Sequence, residues 1–176
     1  MLIVTIKLVF LPSCILKMEK EIKINFEVIP SYQQLNDIEK TLFDKAKIIR
    51  KQAYAPYSNF FVGCALLLEN GEIITGSNQE NAAYPSGLCA ERTTIFWTSA
   101  NYPDIKIKKI FVIGGPKDIL SSTPIPPCGG CRQSILEYEA KQKDVIEIYF
   151  TSPNGEIIRT KSVRDLLPFS FDGTFL

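Results

Sequence analysis

Apolar residues recur every three or four positions after residue 34, which is the spacing of one face of an α-helix. These positions are Leu35, Ile38, Leu42, Ala46, Ile49 and Ala53. They predict a helix that runs from about Leu35 toward Tyr54 and is ended by Pro56. Similar arguments predict a second helix over 89–100 and a third over 128–141.

Apolar runs separated by turn residues predict strands. The stretch "FFVGCALLLENGEIITG" is predicted to form two strands around a two-residue turn at Asn70-Gly71, a pair that tolerates the positive φ such a turn needs. "KIKKIFVIGG" predicts another strand, and "VIEIYFTS" and "EIIRT" a second hairpin around "PNG". "SVRDLL" predicts a short helix capped by Ser162. Strands that alternate with helices indicate a layered α/β domain with helices on both faces of its sheet.

The size of the chain is that of one domain: it has 176 residues, of which 45% are hydrophobic. The segment 1–17 is a doubtful N-terminal extension, an apolar run interrupted only by Lys7. It is too short for a convincing transmembrane helix, and it has neither leading positive charge nor an AxA-type cleavage site. "LPSC" faintly resembles a lipoprotein cleavage box. The interpretation we favour is that Met18 is the true start, so that residues 18–176 form the single domain.

The charge balance argues against polyanionic partners. The chain has 20 Lys plus Arg against 19 Asp plus Glu, with no basic run, so we expect neither nucleic acid nor membrane as a partner. An uncharged small molecule fits better. Histidine is absent, which removes the commonest general base and metal ligand. The five cysteines are an odd number without a small disulfide scaffold, which favours a reduced, cytoplasmic protein.

Three cysteines form a candidate zinc site. Cys128 and Cys131 are three apart at a predicted helix start, so their sulfurs share a face, and Cys89 stands at another predicted helix start. No fourth protein ligand is evident, since Cys64 lies in an apolar strand and Cys14 in the doubtful extension. An open position would admit a water whose pKa Zn²⁺ lowers toward about 7.

Neighbouring polar residues suggest how such a site would work. Glu91, two residues after Cys89, is the natural proton carrier. Three thiolates would leave the zinc with net negative charge, which Arg92 could offset by hydrogen bonds to sulfur. Gln133 could orient nearby groups in the same way. The alternatives are a structural zinc closed by an unseen fourth ligand and a redox pair, which the upstream "CAE" makes a weaker hypothesis.

The combination CxE and PCxxC is the signature of the zinc nucleobase deaminases. More narrowly, "AYAPYSNFFVG", "NQENAAYPSGLCAER", "PCGGCRQ" and "DLLPFSF" together resemble the small homotetrameric cytidine deaminases of pyrimidine salvage. The resemblance covers roughly 53–171. It implies a three-layer α/β/α sandwich with a central mixed sheet and one Zn²⁺ per chain. It also implies the deamination of cytidine, and of deoxycytidine, to the uracil nucleoside and ammonia.

The resemblance also assigns substrate contacts. Asn78 and Glu80 match a pair that hydrogen-bonds the ribose 3′-hydroxyl, and Phe60 matches a ring that packs on the base. Phe171 matches an aromatic residue that reaches a neighbouring subunit's site, with the sites near the subunit interfaces of a homotetramer. Without the shared motifs, the phenylalanines would be read as core or interface residues, and Asn78 and Glu80 as turn residues.

Two rival functions remain open from the sequence. One is deamination of another small nucleoside, such as an antibiotic with a modified sugar. Alanine variants of Asn78 and Glu80 would distinguish the two: if they bind the substrate normally, the assignment of a ribose contact is wrong. The other is a nonenzymatic domain with structural zinc that binds RNA, which would show salt-dependent affinity for polynucleotides and release no ammonia. The near-neutral charge weighs against the second.

Overall fold

A computed structural model describes residues 6–9, 17–117 and 121–176. Its three helices are α1 (Asp37–Arg50), α2 (Ala90–Asn101) and α3 (Gly129–Gln142). Its strands are β1 (Ile6–Val9), β2 (Lys17–Lys20), β3 (Glu27–Ile29), β4 (Phe60–Leu68), β5 (Ile73–Ser77), β6 (Ile107–Pro116), β7 (Glu147–Thr151) and β8 (Ile157–Thr160). β1 and β2 pair antiparallel as a separate two-stranded sheet. Cys14, which the sequence places in the doubtful extension, lies outside the described residues.

The main sheet has six strands in the order β3-β8-β7-β6-β4-β5. β6 and β7 pair parallel, whereas every other neighbouring pair is antiparallel. α1 packs on one face with a core that includes Phe43 and Phe111, and α2 and α3 cover the other face with a core that includes Leu66 and Ile135. The predicted three-layer fold with a mixed central sheet is therefore confirmed.

Strand β4 serves both layers because its side chains alternate between the two faces of the sheet. Cys64 and Leu66 point into the core beneath α2 and α3, whereas Ala65 belongs to the core beneath α1. Cys64 is buried, as its apolar surroundings predicted, and burial raises the pKa of its thiol. Gly63 lies against α1, where an added Cβ would be 2.7 Å from the backbone nitrogen of Arg50. Helix and strand thus meet almost backbone to backbone.

The helix starts follow local capping chemistry. Asn36 caps α1: its side chain accepts from the N–H of Glu39 at 3.0 Å, and the Glu39 carboxylate accepts from the N–H of Asn36 at 3.1 Å, which completes a capping box. Cys89 and Cys128 are the N-cap residues of α2 and α3, close to the predicted starts, and neither side chain makes a capping hydrogen bond. Their thiols are therefore not engaged in capping the helices.

Some local predictions need correction. The Leu68 N–H donates to the carbonyl of Glu72 at 2.9 Å, which extends the pairing of β4 and β5 by one residue beyond Ile73. The turn therefore has three residues, 69–71, rather than two, and the N–H of Gly71 donates to the carbonyl of Leu68 at 3.0 Å. Only Gly71 has positive φ there, at 88°. α1 ends at Arg50, before the predicted end near Tyr54. The predicted cap at Ser162 is present, and its side chain accepts from the N–H of Arg164 in a short 3₁₀ helix, Val163–Leu166.

Strand β3 was absent from the sequence prediction. It pairs with β8 over three residues, so its existence depends on a partner about 130 positions away in the chain. Within the described ranges, no helix combines the length and the apolar character needed to cross a membrane.

Candidate active site

The three predicted cysteine ligands meet at one place in the fold. The Cys89 and Cys128 sulfurs are 3.9 Å apart, and those of Cys128 and Cys131 are 3.5 Å apart. All three sulfurs lie within 4.8 Å of one another. The helix starts bring them together, because α2 and α3 pack side by side with their N-termini adjacent.

This donor set fits a zinc ion. Two sulfurs bound to one tetrahedral Zn²⁺ at about 2.3 Å each should be about 3.8 Å apart, close to the two distances above. Among the residues that the structure describes, the cluster of potential ligand side chains has these three members and no fourth. Three ligands are the number that a catalytic zinc site takes from its protein, whereas structural sites take four.

Arg92 lies beside the sulfur cluster. Its Nη2 is 3.9 Å from the Cys89 sulfur. Hydrogen bonds from the Cys131 thiol and from Arg92 lower the pKa of Cys89 to about 5, although burial acts in the opposite direction. The hydrogen bond to Cys89 and burial raise the pKa of Cys131. A cation at this place favours the thiolate form that a metal needs. The effect of Arg92 on the charge of a bound zinc stays a prediction.

Glu91 is in the first turn of α2 and is almost completely buried. Burial raises the pKa of its carboxyl group to about 7, and negative charge on Cys89 acts in the same direction. Its own backbone N–H and the Cys131 thiol oppose this shift. A carboxyl group with a pKa near neutrality can both hold and release a proton at physiological pH, which a general acid/base must do.

A cleft of about 480 Å³ opens beside the cluster. Its lining includes Cys89 and Arg92 from the cluster side, together with Asn78, Glu80 and Ser58. Two tyrosines lie on its rim, Tyr57 and Tyr84, whose rings meet edge to face at 5.9 Å. Apart from Cys89, the lining has one cation, Arg92, and one anion, Glu80, among amides, hydroxyls and aromatic rings. This suits a ligand with many hydroxyl groups and no net charge.

Asn78 and Glu80 are both in the cleft wall, but each also supports the backbone. Asn78 is buried, and its side chain accepts from the N–H of Val62 at 2.8 Å and donates to the carbonyl of Phe60 at 2.9 Å. The Glu80 carboxylate accepts from the N–H of Tyr57 at 2.9 Å and from Ser58. These bonds lock the start of β4 to the loop that follows β5.

The remaining predicted contact residues are outside the lining of the cleft. Phe60 begins β4 on the same face as Cys64, but it is not among the residues that line the cleft. Phe171 is more than half exposed and stacks on Phe175 with ring centroids 5.4 Å apart. The Gln133 amide donates to the Phe171 carbonyl at 2.8 Å instead of to a group at the cluster, so it positions the C-terminal segment.

Sequence reasoning missed Arg132. Its Nε donates to the carbonyl of Pro127 and its Nη1 to the carbonyl of Leu166, both at 2.8 Å. Arg132 therefore fixes the loop that carries Cys128 and ties it to the C-terminal 3₁₀ helix. Its place next to Cys131 was a signal, but its acceptors are backbone carbonyls that the sequence does not reveal.

A layered α/β fold in which three cysteines cluster beside a buried glutamate has the features of a known class of proteins, the zinc-binding deaminases. Comparison with known proteins places the chain within it. Residues 36–147 match the family described as cytidine and deoxycytidylate deaminase zinc-binding region. The chain belongs to this family.

Individual relatives agree. A cytidine deaminase from Sporosarcina psychrophila is 40% identical over 135 residues, which are 77% of this chain and 91% of that protein. A probable cytidine deaminase from Dictyostelium discoideum is 39% identical over 77% of this chain and 84% of its own length. The crystal structure of cytidine deaminase from Burkholderia pseudomallei superposes with a TM-score of 0.66 at 38% identity, over 78% of this chain and all of that one. The predicted fold and the prediction of an enzyme of this family are confirmed.

Proposed function

We propose that this protein catalyses the hydrolytic deamination of cytidine and deoxycytidine to uridine and deoxyuridine, with release of ammonia, in pyrimidine salvage. The observation that carries the proposal is the meeting of three cysteine sulfurs, 3.5 and 3.9 Å apart along the cluster, with the buried Glu91 and the polar cleft. We further propose that residues 18–176 act as the catalytic domain.

Cys89, Cys128 and Cys131 would hold one Zn²⁺ per chain. When bound, the ion supplies an electrophile that makes water nucleophilic near neutral pH. Arg92 moderates the charge of the three thiolates, since its guanidinium is next to the Cys89 sulfur. Arg132 keeps the Cys128 loop in place through the Pro127 carbonyl.

Glu91 moves the protons. With its pKa near 7, its carboxyl group takes up the proton that water loses and gives it to N3 of the pyrimidine. It then takes the second proton of that water from the oxygen now bonded to C4 and gives it to the amine, which leaves C4 as ammonia. The atoms balance as cytidine plus water giving uridine plus ammonia. Burial matters here, because an exposed glutamate has a pKa of about 4.3 and would hold little proton at neutral pH.

The cleft wall selects a nucleoside. Asn78 and Glu80 bind the ribose 3′-hydroxyl, and the fixed hydrogen bonds of both side chains supply the preorganisation that such binding needs. Glu80 would repel a 3′-phosphate. Because neither residue has to read the 2′ position, deoxycytidine is a substrate as well. Phe60 would pack on the base from the start of β4, beside residues that line the cleft rather than among them.

The assembly is proposed to be a cytoplasmic homotetramer. In it, Phe171 contributes to the site of a neighbouring subunit. The exposure of Phe171 supports this assignment, since a large aromatic side chain that is 57% exposed can be covered by another subunit.

The test combines metal analysis with a panel of nucleosides on the purified full-length protein. We expect one zinc per chain and turnover of cytidine and deoxycytidine. Turnover is measured by the loss of cytidine absorbance and by the release of ammonia. Stoichiometric zinc without turnover of any nucleoside would support a structural metal and refute the proposal. Turnover confined to sugar-modified nucleosides would instead support the antibiotic-type substrate.

A further inference from the structure

The loop 57–59 at the rim of the cleft donates hydrogen bonds to the Glu80 carboxylate. The Tyr57 and Ser58 backbone N–H groups both donate to Oε2, at 2.9 and 3.3 Å. The Ser58 hydroxyl donates to the other oxygen, Oε1. Two consecutive residues of one loop therefore supply three donors to one carboxylate.

The Ser58 hydroxyl is itself oriented. The backbone N–H of Phe60 donates to Ser58 Oγ at 3.0 Å. Because this bond occupies a lone pair of the hydroxyl oxygen, the single hydroxyl hydrogen points toward Glu80. The order of donors is thus fixed: the start of β4 orients Ser58, and Ser58 orients Glu80. The Ser58 hydroxyl, followed by the Tyr57 N–H, lowers the pKa of Glu80, so the carboxylate stays charged.

The arrangement leaves a defined acceptor for a ligand. An ionised carboxylate has about four lone-pair positions, two on each oxygen. Within the described part of the chain, Oε2 accepts two hydrogen bonds and Oε1 accepts one. The remaining acceptor position is on Oε1, the oxygen that Ser58 holds, and Glu80 and Ser58 both line the cleft.

We propose that Ser58 is a positioning residue for substrate recognition: its hydroxyl holds Glu80 so that the free acceptor position of Oε1 receives the 3′-hydroxyl of the nucleoside. The inference rests on the proposed function and deepens it. Ser58 acts through Glu80 and has no part in the chemistry at C4. Its contribution should therefore appear in binding and depend on the substrate's own 3′-hydroxyl.

The experiment compares wild type, Ser58→Ala and Ser58→Thr with cytidine as substrate and 3′-deoxycytidine as competitor. Ser58→Ala should raise the KM for cytidine at least about fivefold, the effect of losing one ordinary hydrogen bond, and should leave kcat within about twofold. The Ki of 3′-deoxycytidine should change by less than about twofold, because this ligand lacks the group that Glu80 binds. Ser58→Thr, which keeps the hydroxyl, should restore the KM.

The controls separate recognition from folding. Ser99→Ala removes a half-buried hydroxyl in the C-terminal half of α2, away from the cleft. It should leave the KM of cytidine and the Ki of 3′-deoxycytidine unchanged. If Ser58→Ala weakens cytidine and 3′-deoxycytidine equally, or lowers kcat while KM is unchanged, Ser58 only supports the loop and the proposal is overturned. If wild type deaminates no cytidine, the proposed function fails first and this inference fails with it.

Discussion

Glu91 is a glutamate in surroundings that are unusual for its chemical type. Its carboxyl group is buried beside the cysteine cluster, and its pKa is raised to about 7. Glu91→Gln keeps the shape of the side chain but cannot carry a proton. We expect kcat for cytidine to fall at least about a hundredfold while one zinc per chain is retained. Steady-state kinetics and metal analysis on the same sample would measure both.

The matched control for Glu91→Gln is Glu137→Gln, because Glu137 is exposed on α3. The same isosteric change there should leave kcat and metal content unaltered. Substantial activity in the Glu91 variant would remove this residue from the proton path. Loss of zinc along with activity would show that Glu91 supports the metal ligands instead.

Asn78 has a structural function as well as its proposed contact with the substrate. Its buried amide satisfies the N–H of Val62 and the carbonyl of Phe60. Asn78→Ala would leave both backbone groups without this partner, so we expect the free energy of unfolding to fall by about 1–3 kcal/mol. Urea unfolding would measure it. Loss of cytidine binding in this variant is therefore not by itself proof of a sugar contact.

Asn101→Ala is the comparison for this stability effect. The Asn101 amide donates to the Trp97 carbonyl at an exposed helix end, where water can replace it. The change should alter stability by less than about 0.5 kcal/mol. Equal effects of the two substitutions would contradict the structural role of Asn78.

At the scale of elements, α1 and β4 depend on the absence of a side chain at Gly63. A Cβ there would lie 2.7 Å from the backbone nitrogen of Arg50 and closer still to the carbonyl oxygen of Ala46. Backbone atoms of a helix cannot move aside as a flexible side chain can. Gly63→Ala should therefore destabilise the protein by about 1–3 kcal/mol or more, as overpacking does.

Thermal unfolding would measure the Gly63 effect against Gly173→Ala, where an added Cβ meets no atom within 4 Å. The control should unfold close to wild type. An unchanged unfolding temperature for Gly63→Ala would mean that α1 can move away from the sheet at little cost, contrary to the packing seen here.

The elements that could be predicted from the sequence are those specified locally. The starts of α2 and α3 lie within a residue or two of their predicted places, because Cys89 and the Pro-Pro-Cys128 stretch stand directly before the helical segments. β3 could not be predicted, since its stability depends on pairing with β8. The predicted length of the hairpin loop was wrong by one residue. Asn-Gly is compatible with more than one type of turn, and the register of the two strands decides which type is formed.

The candidate site divides in the same way. The clustering of the three cysteines could be predicted from residue type and spacing, whereas their role as ligands and that of Glu91 stay predictions. The contacts of Asn78 with Val62 and of Arg132 with Leu166 involve backbone groups distant in sequence, and the Ser58 hydroxyl donates to a carboxylate 22 positions away. Backbone donors and acceptors are the same at every position, so the sequence carries no direct sign of them. Motifs therefore identify the reacting groups better than the groups that hold them.

At the scale of the whole molecule, each face of the sheet has its own polar connection. On the α1 side, the Tyr149 hydroxyl lies 2.7 Å from Glu39 and 2.8 Å from Glu147. Lys109 and Arg159 pair with Glu147 at 2.7 and 3.0 Å. This network joins α1 to three strands with protein groups alone. On the other face, the ends of α2 and α3 meet through the three sulfurs.

A metal at those sulfurs should therefore stabilise the whole fold. Its ligands are on two helices that are distant in the chain, and they come together only in the folded protein. Zinc at a hundred times its dissociation constant would add about 2.7 kcal/mol. For a domain of this size, that corresponds to roughly 5–10 °C in unfolding temperature. Calorimetry should show that the unfolding temperature falls by this amount after chelation and recovers when zinc is added. The unfolding temperature of Cys131→Ala, which lacks one ligand, should change with neither treatment. Equal unfolding temperatures with and without bound zinc would mean that the metal does not hold the two helices together.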